Sequence, residues 1–455
     1  MAQKQGIPKG TRDFLPKNVI KRNYIFDAIK SVYALHGFVP IETPSFEYNS
    51  TLLGKYGDEG DRLIFRILNS GEKVKKADTE ALSKNELGKF VSSLSEKSLR
   101  YDLTVPFARF VVQHQNELPF PFKRYQIQPV WRADRPQHGR YQEFYQCDAD
   151  VIGSESLWHE ISLLQIIDEA LDKLKIPAFT IHLNNRKILS GIAEVCQQEE
   201  NIINITQALD KLDKIGEEGV INEFKKRNIP GDAIDKIKPL FQLSGSNENK
   251  LDALKSFLSA SEIGLKGIEE MEFILSKCKK FGLKKAIINI NVTLARGLNY
   301  YTGSIIEVTA DNIKMGSICG GGRYDDLTRL FGLKGLSGVG ISFGADRIYD
   351  ILESLDLFPS KLSMGVKVLF VSMGEKETEQ AMVLSKTLKE HGVSSEAYAD
   401  KAKIAKQMKY ANKVNAEFVA VIGDTELSNK TVQLKNMTSG EQKEVYWDDL
   451  IDILR

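Results

Sequence analysis

The stretch Phe122-Lys-Arg-Tyr-Gln-Ile-Gln-Pro-Val-Trp-Arg132-Ala-Asp-Arg-Pro-Gln-His-Gly-Arg140-Tyr-Gln-Glu-Phe144-Tyr-Gln-Cys-Asp-Ala-Asp150-Val-Ile-Gly153 decides how this chain is read. Two segments rich in aromatic and β-branched residues flank a polar centre, residues 133–140, which holds a proline, a glycine and charged side chains. Such punctuation between two strand-like runs predicts an antiparallel hairpin with a long loop. Arg132, Arg135 and Arg140 lie in or beside the turn. A guanidinium stays ionised and presents a planar fork of donors that matches phosphate oxygens. Beyond the turn, the alternation Phe144, Gln146, Asp148, Asp150 puts a ring, an amide and two carboxylates on one side of a strand. Phosphate grips beside carboxylates suit a nucleotide site with a cationic second substrate. Taken alone, the stretch reads equally as a solvated basic hairpin.

At 455 residues the chain is too long for one core, and about two or three domains are expected. Lys plus Arg (62) nearly balance Asp plus Glu (61), so any contact with nucleic acid has to come from local patches. Cys147, Cys196, Cys278 and Cys319 are scattered without a Cys-x-x-Cys pair. That argues against a zinc site and a disulfide framework, and it fits a reducing cytosol. The amino terminus lacks the apolar core of a signal peptide, and no run is long enough to span a bilayer. A cytoplasmic protein without a membrane segment is expected.

Outward from the hairpin, residues 17–36 carry Ile20, Tyr24, Ala28 and Val32 at helical spacing up to Gly37, and residues 38–44 read as a strand closed by proline. Residues 63–68 read as a short strand and 71–98 as a lysine-rich, helix-containing excursion. Residues 99–106 lead into a helix carrying Phe107, Phe110 and Val111, and 158–174 form an amphipathic helix. Over 185–281, Leu, Ile and Phe recur at helical spacing among Lys and Glu, which predicts a helical insertion. Strand character returns at 286–293 and 304–309. After a boundary near 362–365, strands and helices alternate as in a compact α/β domain. The expected plan is one core domain in two parts, 1–184 and 282–361, with an insertion at 185–281 and a terminal domain at 362–455.

Thr293-Leu-Ala-Arg-Gly-Leu-Asn-Tyr-Tyr-Thr-Gly303 puts Arg296 and the adjacent Tyr300 and Tyr301 on a turn, as a ligand loop or as a hairpin with surface aromatics. Cys319-Gly-Gly-Gly-Arg-Tyr-Asp325 is a glycine run ahead of a predicted helix, either ligand-lining or a close packing turn. It matches neither the P-loop nor the dinucleotide fingerprint. Residues 335–349 read as a glycine-rich strand followed by a helix carrying Arg347. Glycines weaken a strand and are tolerated where a flat group lies on the sheet. A purine between Phe144 and Arg347 would be such a group; the alternative is a helix arginine that caps carbonyls. Lys403, Lys406, Lys409 and Lys413 share one face of a predicted helix, either solvated or touching a phosphate backbone. The histidines show no metal-ligand spacing and no nucleophile elbow is visible, so the chemistry reads as arginine electrostatics with no protein-held metal.

Together these motifs resemble a class II aminoacyl-tRNA synthetase, and more narrowly the histidyl-tRNA synthetase family. The helix and strand ending at Pro44 resemble the first class motif, Trp131-Arg132 through Phe144 the second, and Gly338 through Arg347 the third. Leu294-Ala-Arg-Gly-Leu-Asn-Tyr-Tyr301 and Cys319-Gly-Gly-Gly-Arg-Tyr324 resemble the histidine-specific pieces. Leu99-Arg-Tyr-Asp-Leu-Thr104 and Lys9-Gly-Thr-Arg-Asp-Phe-Leu-Pro16 agree with them. The chain departs at Asp134, where many class members carry Glu, and at Asn299, where the family commonly carries Asp.

The resemblance implies an α+β fold: a class II synthetase-like, mostly antiparallel sheet flanked by helices, a helical insertion, and a C-terminal α/β anticodon-binding-like domain. Residues 1–184 and 282–361 would be catalytic, and the first motif would build a homodimer. Asp102, Leu103, Thr104, Arg132, Gln146, Asp150, Arg296, Tyr300 and Tyr301 would bind histidine, with Asp102, Thr104 and Gln146 at the ammonium end and Asp150 and Tyr301 on the imidazole. Arg132 and Arg296 would be the catalytic pair on the ATP α-phosphate. Asp134, Phe144 and Arg347 would hold ATP, and Arg135 and Gln137 would meet the tRNA acceptor end. The implied activity is ATP- and Mg²⁺-dependent formation of histidyl-adenylate and its transfer to histidine tRNA. Two rivals stand beside it: a non-catalytic synthetase-like regulatory subunit of histidine biosynthesis, and a synthetase for another amino acid on the same scaffold.

Overall fold

The computed structural model describes residues 6–137, 139–295, 300–311, 313, 315–325, 327–360, 362 and 365–455. It divides into two compact units, Met1–Asp13 with Arg22–Leu357, and Phe14–Lys21 with Phe358–Arg455. The strands of the first unit are β1 (Val39–Pro40), β2 (Phe46–Tyr48), β3 (Arg66–Ile67), β4 (Lys97–Leu99), β5 (Phe122–Trp131), β6 (Glu143–Ile152), β7 (Phe179–Asn185), β8 (Ile287–Ile290), β9 (Ser304–Ala310), β10 (Cys319–Tyr324) and β11 (Gly338–Gly344). Among the described residues, eight of them form one sheet in the order β1-β5-β6-β11-β10-β9-β7-β8. It is antiparallel except for the outer pairs β1/β5 and β7/β8.

The expected hairpin is β5 and β6, paired from Phe122↔Ile152 to Trp131↔Glu143. Their alternation gives the sheet two faces of opposite character. On one, Tyr125, Cys147 and Phe343 meet the helix Pro16–Leu35. The Tyr33 ring of that helix lies 5.5 Å from Tyr125 and 6.3 Å from Phe343, and its hydroxyl donates to the Cys147 carbonyl at 2.7 Å. The other face is polar. Arg124, Gln126 and Gln128 on β5 pair with Asp150, Asp148 and Gln146 on β6. Those in turn pair with Gly340, Ser342 and Gly344 on β11.

The helix Trp158–Lys173 anchors two later parts of the chain. Its Asp168 accepts from the backbone N–H groups of Lys284, Lys285 and Ala286 at 2.5, 3.0 and 2.8 Å. Its buried Glu160 takes both ends of the Arg323 fork at 2.6 Å, and Arg323 also donates to Ser337 Oγ at 2.6 Å and the Ser154 carbonyl at 3.0 Å. Between residues 186 and 281 the chain is helical, from Arg186–Val195 to Glu262–Phe281.

The glycine run at 319–324 is a central strand, β10, rather than a turn, and a 3-10 helix, Leu327–Phe331, follows it. The cause is steric: a Cβ on Gly321 would stand 2.1 Å from the Gly340 carbonyl oxygen, so glycine is what lets β10 lie against β11. The strands expected at 63–68 and 286–293 shrink to β3 and β8, which pair on one side only.

In the second unit β12 (Val368–Ser372), β13 (Ser395–Ala397), β14 (Phe418–Ile422), β15 (Thr431–Asn436) and β16 (Gln442–Tyr446) form a sheet in the order β13-β12-β14-β15-β16. β12 alternates between two cores. Val368 and Phe370 meet Leu384 and Leu388 of the helix Glu375–Glu390, and Leu369 and Val371 meet Ala411 of the helix Ile404–Lys413. The edge strand β16 is mostly exposed and polar, which is why the sequence pattern does not announce it.

Removing Arg323 strands a buried carboxylate, so Arg323→Met is expected to destabilise the first unit by about 3–5 kcal/mol. The check is the midpoint of urea unfolding, and a loss below about 1 kcal/mol would show the Glu160 pair to be dispensable.

Candidate active site

A cavity of about 300 Å³ opens on the polar face of the large sheet. Of the residues singled out by sequence, Asp102, Thr104, Arg132, Asp134, Phe144, Gln146, Tyr300, Tyr301 and Arg347 line it. Leu103 and Asp150 are buried and stand outside the lining. Arg135 and Gln137 are exposed on the hairpin loop, where the Gln137 and Arg140 backbones bond each other at 3.1 and 2.9 Å. Arg296 lies outside the described residues.

The buried Asp150 belongs to one rung of the sheet. Arg124, Asp150, Gly340 and Gly322 are successive cross-strand partners on β5, β6, β11 and β10. A Cβ on Gly340 would fall 1.9 Å from Asp150 Oδ1, and one on Gly322 would fall 2.9 Å from the Tyr301 ring. The glycines therefore make room for a carboxylate and a phenol ring. Gly344, at the end of the same strand as Gly340, lines the cavity with Phe144 and Arg347. Asp150 Oδ1 accepts from the Tyr324 hydroxyl at 2.8 Å, and Oδ2 lies 2.7 Å from Arg124 Nη2. One rung up, Asp148 is equally buried, 3.7 Å from the same guanidinium nitrogen. Burial raises both carboxyl pKa values above the ordinary range and the Arg124 charge opposes it. Gln146, a further rung up, donates to Ser342 Oγ at 2.8 Å.

Asp102 sits where the chain enters the helix Thr104–Gln113. Its Oδ1 accepts from the Tyr56 hydroxyl at 2.8 Å and the Val105 N–H at 3.2 Å, and Oδ2 lies 3.5 Å from the Tyr300 hydroxyl. Burial raises its pKa, against the hydrogen bonds from Tyr56 and Val105 and the Arg132 charge. Arg132 leaves the end of β5 with its Nε bonded to the Tyr101 carbonyl at 3.1 Å, and its guanidinium carbon is 4.3 Å from the Tyr101 ring and 5.2 Å from the Phe144 ring. Stacking fixes the plane of the fork in advance. Arg347 Nε and Nη1 donate to the Gly139 and Ser317 carbonyls at 3.1 and 2.5 Å. The carbonyl-capping alternative thus holds for this arginine, which at the same time lines the cavity.

Two features escaped the sequence reading. Arg124 lies in the quoted stretch, but as an arginine within a strand it gave no turn signal. Asp346, beside Arg347, accepts from Arg12 Nη2 and Arg22 Nη1, each at 2.5 Å, and from the Tyr145 N–H at 3.1 Å. Arg12 also lies 3.3 Å over the Tyr141 ring, and Gly10 accepts from the Gln142 N–H at 2.8 Å. Gly10 and Arg12 of the lead-in are therefore tied to the hairpin loop and to the start of the Arg347 helix. Such ties join positions hundreds of residues apart and carry no local pattern.

A mostly antiparallel sheet with an arginine-bearing hairpin over a glycine-lined polar floor is the layout of a class II aminoacyl-tRNA synthetase. The family model described as histidyl-tRNA synthetase matches residues 10–348, and the anticodon binding domain model matches residues 366–455. A curated relative from Christiangramia forsetii, named Histidine--tRNA ligase, is 57% identical over 456 residues, covering 100% of both chains. The crystal structure of histidyl-tRNA synthetase from Nostoc sp. PCC 7120 superposes with a TM-score of 0.82 at 30% identity, covering 99% of this chain and 98% of that one. A Bacillus halodurans structure titled as an ATP phosphoribosyltransferase regulatory subunit/histidyl-tRNA synthetase has a TM-score of 0.74 at 18% identity, over 93% of this chain and 99% of that one, and shows the fold alone. The chain belongs to the histidyl-tRNA synthetase family.

Because a methyl group at 340 has to displace the Asp150 carboxylate, Gly340→Ala is expected to cost about 1–3 kcal/mol of stability. It should also weaken histidine binding by at least about tenfold. Calorimetric unfolding and titration with histidine check the two effects; unchanged affinity would remove the glycine gap from the site.

Proposed function

We propose that the chain activates L-histidine with ATP and passes the histidyl group to the 3′ end of histidine tRNA. The observation that carries this is one cavity lined by the Arg132 guanidinium, the Asp102 carboxylate and the Tyr300–Tyr301 pair, in a chain whose full-length relative bears the ligase name. The regulatory-subunit reading has weaker support: its structural neighbour is 18% identical, against 57% for the ligase relative.

In the first step a histidine carboxylate oxygen attacks the α-phosphorus of ATP in line, and pyrophosphate leaves. The nucleophile is already anionic, so no general base is needed. The barrier lies in charge gathering on phosphate oxygens, which fixed guanidiniums stabilise in a site closed to water. Arg132 supplies one fork, its Nε already held by Tyr101. Arg296 supplies the second. Asp102, Thr104 and Gln146 take the ammonium end with the Leu103 backbone beside them, Tyr300 and Tyr301 close over the side chain, and Asp150 with Tyr301 reads the imidazole. Phe144 and Arg347 flank adenine, with Asp134 near its edge. In the second step a terminal ribose hydroxyl of the tRNA attacks the adenylate carbonyl and AMP leaves, with Arg135 and Gln137 meeting the acceptor end.

Among the described residues no group of three or more His, Cys, Asp or Glu is placed to hold a metal. Mg²⁺ would arrive on the ATP phosphates, where it would add positive charge; no step above is routed through it. The terminal domain reads the anticodon, and Lys403, Lys406, Lys409 and Lys413, all exposed, are its backbone contacts. Residues 185–281 act as an insertion between the two parts of the catalytic domain. A second copy of the chain pairs through the first-motif segment, where Leu35 and Val39 are 80% and 47% exposed. This activity places the protein in the cytoplasm. No helix among the described residues is long and apolar enough to cross a membrane.

Arg132→Ala is expected to lower histidine-dependent ATP–pyrophosphate exchange by about 10²–10³-fold. Arg296→Ala is expected to do the same while leaving ATP binding nearly intact. Across the amino acids, exchange should appear with histidine alone, and equal exchange with an apolar amino acid would defeat the reading of Asp150 and Tyr301.

A further inference from the structure

We propose that Arg124 is a positioning residue for histidine selection, holding the Asp150 carboxylate at the imidazole end of the cavity with Asp148 as its second anchor. This rests on the reading of Asp150 and Tyr301 as the pair that meets the imidazole. Arg124 is fully buried and sits 4.3 Å over the Phe107 ring. Its Nη1 donates to Gln126 Oε1 at 3.3 Å, and its Nη2 approaches Asp150 Oδ2 at 2.7 Å and Asp148 Oδ2 at 3.7 Å. The side chain is thus fixed on three sides, by a ring, an amide and two carboxylates.

The contact to Asp150 is one of charge rather than of aligned hydrogen bonding. Neither Arg124 Nη2 nor Asp150 Oδ2 has a hydrogen-bond partner among the described residues. Oδ1 is already taken by Tyr324, so Oδ2 is the atom left to accept a ligand N–H. An ion partner that fixes the carboxylate without using its lone pair by hydrogen bonding leaves it placed and able to accept. The cluster sets two buried carboxyls against one guanidinium, so it has acceptor capacity that a ring N–H can use. An apolar side chain in that place would leave the oxygen unpaired.

The test measures KM for histidine and for ATP separately in pyrophosphate exchange, with thermal unfolding in parallel, for Arg124→Met, Arg124→Lys, the double variant Arg124→Met/Asp148→Asn, and Asp150→Asn. Arg124→Met is expected to raise the histidine KM by at least about tenfold with the ATP KM within about twofold. Arg124→Lys should recover part of the loss. The double variant removes one charge of each sign; it should regain thermal stability and keep the raised histidine KM. A double variant with a normal histidine KM would make Arg124 a counter-charge only, and the proposal fails. A normal value in Arg124→Met beside a raised one in Asp150→Asn also overturns it, while leaving the role of Asp150 standing. A normal value in Asp150→Asn shows instead that the reading of Asp150 is wrong.

Discussion

Gly340 has no side chain, and the Asp150 carboxylate occupies the space one would need. Strands in a sheet are about 4.8 Å apart, so neighbouring side chains on one face normally stand up side by side. Here two glycines in adjacent strands clear a gap on the rung, and Asp150 and Tyr301 lie into it from either side. Further along the same two strands, Gly320, Ser342 and Gly344 line the cavity. The opposite face, carrying Tyr125, Cys147 and Phe343, remains an ordinary apolar layer under the first long helix. One strand alternation thus separates what is bound from what holds the fold.

The same alternation sets an order along the ligand. Phe144, Gln146, Asp148 and Asp150 climb β6 on one face, spanning about 20 Å at the usual strand rise. In the proposed reading adenine lies at the Phe144 end, the reacting phosphate beside Arg132, and the imidazole at Asp150. The order places the arginine fork at the joint between nucleotide and amino acid. Arg132 reaches that joint with its plane already set by Tyr101 and Phe144, so little freedom is lost when charge develops.

Much of this was legible in the chain. The hairpin, the long helices and the α/β character of the terminal unit follow from local periodicity, and the structure has them close to the expected bounds. The strand alternation from Phe144 to Asp150 named four side chains of the polar face before any fold was known. What the pattern hid depends on distant pairings. Cys319–Tyr324 reads as a ligand-lining backbone or a close packing turn; Cys319 and Gly320 do line the cavity, and only the register with β11 and β9 explains the run as a strand. Arg124 reads as an unremarked charge in a strand until Asp148 and Asp150 are brought beside it. Arg12 and Arg22 converge on Asp346 across more than three hundred positions, with no spacing that periodicity could reveal. Asp150 itself was placed on the correct face, but its burial outside the cavity lining follows from the clamp of Arg124 and Tyr324.

The most direct measurement is a crystal structure of the protein with histidine and a non-hydrolysable ATP analogue. The imidazole is expected against Asp150 and Tyr301, one ring nitrogen within hydrogen-bond distance of the Asp150 carboxylate and the other facing Tyr301, with the histidine carboxylate directed at the α-phosphate beside Arg132. An imidazole bound elsewhere in the cavity, with Asp150 still held only by Tyr324 and Arg124, would contradict it.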